Sequence, residues 1–114
     1  MMTKKTLLPN ISLLLLLSAG VQAETLSVSD ALLDFEALVG EKVTVKGFAL
    51  KMGDMGFLYE ERGSMTALML DDTGASRDAR KYLLKSCSAG CNATITGTLS
   101  NAMFGKTLVV ESIE

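Results

Sequence analysis

Residues 92–100 read NATITGTLS, and their alternation limits the fold more than any other feature of the chain. Ala93, Ile95, Gly97 and Leu99 point one way, and Thr94, Thr96 and Thr98 the other. Period two with β-branched residues predicts a strand with one buried face. Four more short segments read the same way. They are KVTVKGFAL (42–50), GFLYEE (56–61), TALMLD (66–71) and TLVVESI (107–113). Gly47 falls in mid-strand, where a small barrel needs a bend or bulge.

Two segments change period. In SVSDALLDFEALV (27–39), Leu32, Phe35 and Val39 recur at helical spacing, with Ala31 and Leu38 beside them and Gly40 after the run. Ser27 and Asp30 have capping-box spacing. In SRDARKYLLKSC (76–87), Ala79, Tyr82, Leu83 and Ser86 share a face. Ser76 is placed to cap that helix, and Lys85 suits its negative end. The predicted fold is mainly β with two short helices, in the order helix–β–β–β–helix–β–β. That is the order of a five-stranded OB-fold barrel.

The first 23 residues, MMTKKTLLPNISLLLLLSAGVQA, have a basic start, an apolar run over Leu13–Leu17 and small residues before Glu24. This layout predicts a secretory signal peptide. Its apolar run is short of the ~20 residues that span a bilayer, so no membrane span is expected after cleavage. Residues 24–114 are then one small OB-fold domain, and the expected location is periplasmic.

LVGEKVTVKGFAL, followed by GFLYEE and TALMLDD, resembles the opening of small exported bacterial OB-fold proteins, the BOF or tRNA-anti-like group. The markers are Gly40, Val43, Val45 and Gly47, then the apolar-to-acidic ending at Asp71 and Asp72. The resemblance spans residues 38–114 and implies the OB fold. Cation binding or envelope-stress roles are suggested for some members of the group. It carries no catalytic motif across.

KSCSAGC (85–91) holds both cysteines of the chain, Cys87 and Cys91. In an oxidising compartment two cysteines pair. A thiol oxidoreductase usually spaces its pair by two residues at a helix start, whereas Cys87 ends a helical pattern. The expectation is a structural disulfide.

The chain has 11 basic and 13 acidic residues and no histidine. Losing residues 1–23 removes Lys4 and Lys5 and leaves the remainder more acidic. A groove that tracks phosphates wants the opposite sign, so nucleic acid is not an expected partner. Without histidine the common general base near neutral pH is missing. Glu60–Glu61 and Asp71–Asp72 are neighbours on strands, where adjacent side chains point to opposite faces. The expectation is a protein that binds rather than catalyses, with no cofactor.

The expected binding surface is a barrel mouth between the 51–56 turn and the 101–105 loop. Met52, Asp54, Met55, Phe57, Tyr59, Met103 and Phe104 would line it. Its partner would be an envelope protein, a glycolipid or a small ligand. The alternative is a copper or other cation site built from the thioethers of Met52, Met55 and Met103, since soft sulfur selects copper(I). Arg77, Arg80, Lys81 and Lys85 form a basic stripe on the second helix, which suits docking on an anionic envelope glycolipid. The pairing of Cys87 with Cys91 has a direct test. Cys87→Ser should fold but lose about 2 kcal/mol in a denaturant titration, the value of so short a closed loop.

Overall fold

The computed structural model describes residues 24–114, so the predicted signal peptide lies outside the described residues. Nine elements follow one another. They are β1 (Thr25–Ser27), α1 (Val28–Leu33), α2 (Phe35–Leu38), β2 (Lys42–Met52), β3 (Met55–Tyr59), β4 (Ala67–Asp71), α3 (Arg77–Ser86), β5 (Cys91–Ala102) and β6 (Gly105–Ile113). All five predicted strands are present. The predicted first helix is two, broken at Asp34 with φ −100° and ψ 19°. Ser27 caps its start through Asp30 N–H at 3.0 Å, and Ser76 caps α3 through Ala79 N–H at 3.1 Å. Strand β1 was not predicted. Three residues are too few for a period to show, and β1 exists because it pairs in parallel with Thr44–Lys46.

Strands β2 to β6 close into a barrel in the order β2-β3-β4-β6-β5, with β2 and β5 completing the ring. Neighbours are antiparallel except β4 and β6, which run parallel. The ring closes with a steep stagger. Lys42 is level with Thr98, Thr98 with Val109, and Val109 with Asp71. One residue beyond the Gly56–Leu70 pair brings Met55, and Met55 is level with Met52. A circuit that starts at Lys42 therefore returns to β2 at its other end. This stagger lets so few strands enclose a filled interior.

The core is one apolar cluster. Val45, Ala49, Leu58, Leu68, Leu70, Ala93, Ile95, Leu99, Leu108 and Val110 point inward from the strands. Val28, Ala31 and Phe35 cover one end of the barrel, and Ala79, Leu83 and Cys87 the other. On α3, Tyr82 and Ser86 were expected on the buried face and are instead exposed, because Cys87 takes the last place on it. Cys87 and Cys91 form a disulfide with Cα atoms 4.8 Å apart, tying α3 to β5. Lys51 N–H donates to Cys87 C=O at 2.9 Å, so the same point is also bonded to β2.

Two glycines permit the curvature. Gly47 lies where β2 leaves β1 and begins to pair with β3. A Cβ there would come within 2.5 Å of the Tyr59 carbonyl oxygen and 2.9 Å of Val28 Cγ2. Gly97 lies at the register shift between β5 and β6, where a Cβ would run into the Val109 carbonyl oxygen. Both clashes involve backbone, which has little room to give. Gly97→Ala is thus expected to cost roughly 1–3 kcal/mol in chemical unfolding, as overpacking does. Alanine at the exposed, unobstructed Gly74 should change stability by less than about 0.5 kcal/mol, as surface substitutions do.

Candidate functional site

The outer surface of the barrel has two unlike flanks. Along β5 the outward residues are Thr94, Thr96, Thr98 and Ser100. On β2, β3 and β4 they are mostly apolar. Register places Phe48, Tyr59 and Ala67 in one cross-strand row, and Leu50, Phe57 and Met69 in the next. All six are half-buried by one another. The Phe57 and Tyr59 rings lie 6.0 Å apart, centre to centre, at a tilt of 37°. Two of the sequence-predicted residues, Phe57 and Tyr59, thus sit at the middle of an apolar face. Phe48 reads from sequence as a third strand-face aromatic beside them, while Leu50, Ala67 and Met69 were not singled out. Their signal was the apolar residue at each outward position of 48–50 and 67–69.

Both hairpins are tighter than predicted. Met52 pairs directly with Met55, leaving Gly53 and Asp54 as the turn. Ala102 pairs with Gly105, leaving Met103 and Phe104. Residues 51–56 and 101–105 are therefore largely strand, and only their tips turn. Gly53 supplies the positive φ, 61°, that the first turn uses.

The tips do not share a mouth. The Met52–Met55 tip follows Lys51, which bonds to Cys87 at the end of α3. The Met103–Phe104 tip precedes Lys106, whose ammonium lies 5.2 Å from the Phe35 ring centre in α2. One tip stands at the α3 end of the barrel and the other at the α1–α2 end, with the apolar face running between them. The single mouth expected from sequence is corrected to a face framed by two separate tips. The physical reason is the antiparallel pairing of β2 with β5, which puts the ends of the two strands, where the hairpins turn, at opposite ends of the barrel. Met52 and Met55 are cross-strand neighbours, but Met103 is not brought to them. The three-thioether metal site is not assembled by this fold. Met103 is 89% exposed and Phe104 77%, so the second tip carries its apolar side chains into solvent.

A cleft of about 800 Å³ adjoins the face. It runs between β1 and α1 on one side and the turn after β3 on the other. Leu26, Asp30, Lys46, Glu60, Arg62 and Asn92 line it, and Phe48 belongs to both cleft and face. The Arg62 guanidinium lies 4.9 Å above the Phe48 ring centre, a cation–π contact. Glu60 Oε1 accepts from Ser29 N–H at 2.7 Å, fixing the turn to α1. The cleft was not legible in the sequence because its wall is β1.

The paired carboxylates hold different partners. Asp72 binds Lys51 Nζ at 3.2 Å, both side chains being mostly buried. Asp71 accepts from the hydroxyl and the backbone N–H of Thr73. The Thr73 hydroxyl, then its N–H, hold the Asp71 carboxyl below its ordinary value, with partial burial opposing them. Among the described residues no group of three acidic, cysteine or histidine side chains gathers as for a metal. Nor is any helix among them long and apolar enough to cross a membrane. The basic residues Arg77, Arg80, Lys81 and Lys85 are all exposed on α3, away from the apolar face.

No family model matches the chain, and no curated protein matches it. Solved structures do. "OBody AM1L10 bound to hen egg-white lysozyme" matches at 18% identity with a TM-score of 0.51, over 68% of this chain and 80% of that one. A second OBody, AM3L15, also bound to hen egg-white lysozyme, gives 17% and 0.49 over 68% and 81%. Asparaginyl-tRNA synthetase from Pyrococcus horikoshii, complexed with asparaginyl-adenylate, gives 16% and 0.43 over 68% and 19%.

The Asp71 contact yields a pH prediction. A depressed folded-state value contributes stability above the unfolded value, and that contribution is lost as pH falls through the folded one. Thr73→Ala should raise the Asp71 midpoint in an NMR titration and flatten stability against pH over that acid window. The strand order, the parallel β4–β6 pair and the AM1L10 likeness together show that this chain has the OB fold.

Proposed function

We propose that this protein is a non-enzymatic binding module, exported to the periplasm, whose working surface is the outer face of β2, β3 and β4. The observation that carries this reading is the contrast between the two flanks. Six apolar side chains form two adjacent rows on one flank, while threonines and a serine cover β5. A contiguous apolar patch beside a polar flank marks a place where something else packs. Aromatic residues at the centre and charged residues at the rim are the anatomy of a recognition surface.

The partner is an envelope protein or a small ligand with a flat apolar segment. Phe57 and Tyr59 are its anchors, and Phe48, held under Arg62, extends the contact toward the cleft. Met52 and Met55 at one tip, and Met103 and Phe104 at the other, bound the face with flexible or exposed apolar side chains. Thioethers adapt to more than one partner shape. The surplus of acidic residues speaks for a protein or neutral ligand over nucleic acid. The non-enzymatic reading rests on the absence of histidine and on the separate partners of Asp71 and Asp72.

An envelope extract passed over immobilised residues 24–114 tests this. Phe57→Ser combined with Tyr59→Ser should reduce recovery of bound proteins or small molecules about tenfold or more, the usual cost of removing two central aromatic anchors. Thr98→Ala, on the polar flank, should recover them fully. Equal recovery by all three removes the face as the working surface. Turnover of any compound in a broad substrate panel overturns the non-enzymatic reading.

A further inference from the structure

The α3 end of the barrel carries a second surface that the β2–β4 face does not use. Helix α3 buries Ala79 and Leu83, so the side opposite them is its crest. At a helical turn every 3.6 residues, Arg77, Lys81, Leu84 and Lys85 share that crest, with Arg80 on its shoulder. Leu84 is 63% exposed at the centre of the cations. With Arg77, Arg80 and Lys81 it lines a shallow hollow of about 230 Å³. Arg80 Nε donates to the Ala75 carbonyl at 3.2 Å, which anchors its stem and leaves the end of the guanidinium outward.

We propose that this crest docks the protein peripherally on an anionic phospholipid surface. Four cations on one helix face of a net-acidic protein are complementary to a negative partner, and phospholipid headgroups present one as a plane. Leu84 is the second argument. An apolar side chain between cations reaches below headgroup level while the long basic stems keep their charges at it. The Met52–Met55 tip stands at the same end, joined to α3 through Lys51 N–H and Cys87 C=O, and adds two thioethers to the contact. Of the acids at this end, Asp72 is paired with Lys51, whereas Asp71, Asp78 beside Lys85 on α3, and Asp54 in the tip are exposed and oppose docking; the four crest cations outnumber them. Nucleic acid fits less well, since α3 offers a single partly exposed aromatic, Tyr82 on its flank, and the protein is acidic as a whole.

Residues 24–114 contain the whole closed barrel and its core, so they are the protein to test. Co-sedimentation is measured with vesicles of phosphatidylcholine alone and with phosphatidylcholine and phosphatidylglycerol in equal parts. Binding is expected to the second only. Each crest cation removed should weaken it about fivefold, so Arg77→Gln with Lys81→Gln loses about an order of magnitude or more. Leu84→Ser should weaken binding without changing its salt dependence, whereas the double charge variant should flatten that dependence. All three positions are exposed, and unchanged melting curves confirm that the variants fold. Lys106→Gln, at the opposite end of the barrel, should bind as the unaltered protein does. No binding to phosphatidylglycerol vesicles overturns the proposal. So does equal loss in Lys106→Gln, or full binding by Leu84→Ser. Equal affinity for a single-stranded oligonucleotide, with the same loss in the charge variant, assigns the crest to nucleic acid instead.

Discussion

The structure depends on the bend of β2 at Gly47. One strand pairs with β5 along its first part, with β1 beside that part and with β3 beyond it. Such a strand must curve through the ring rather than lie flat in a sheet, and curvature brings backbones together on its inner side. At Gly47 the space is filled by the Tyr59 carbonyl and Val28. Gly97 answers the same need on β5, against Val109. With the stagger that results, the barrel has no free edge except the stretch of β2 that β1 covers. Its interior is filled by side chains, and the two ends are closed by helices.

Closing the ring assigns the surfaces. Inward positions are spent on the core, so whatever stands at outward positions is free to meet a partner. Along β5 those positions are hydroxyl-bearing, and Thr44 Oγ1 lies 2.9 Å from Thr96 Oγ1 across to β2. Along β2–β4 they are Phe48, Leu50, Phe57, Tyr59, Ala67 and Met69. A strand buried on both faces would have the same apolar run, but here the six outer side chains remain partly exposed, with Phe48 lying under Arg62. The alternation therefore yields one ordinary core and one apolar face looking outward.

The antiparallel pairing of β2 with β5 also separates surfaces along the barrel. One end joins the Met52–Met55 tip, the disulfide and the basic crest of α3. The other joins the Met103–Phe104 tip, Lys106 and Phe35. The disulfide is central to the first arrangement because Cys87 links α3 to β5 by its sulfur and to β2 by its carbonyl. That anchors a ten-residue helix, too short to be stable alone, in a defined orientation with its cations outward.

Much of this was legible in the residues. Period-two segments marked five strands, the capping serines marked two helix starts, and Cys87 with Cys91 implied the staple. Phe57 and Tyr59 were legible as surface aromatics because they alternate with inward Gly56 and Leu58. The expected shared mouth was not, since hairpin placement depends on strand register around a closed ring. Strand β1 and the cleft beside Phe48 were hidden for a similar reason: three residues carry no period, and their conformation comes from a partner nineteen residues away. What the sequence determined by itself was therefore local: which residues turn, extend or coil, and which side of each is apolar. Only the tertiary structure decided which tips, faces and charges became neighbours, because strand pairing joins segments distant in sequence and is a property of no single strand.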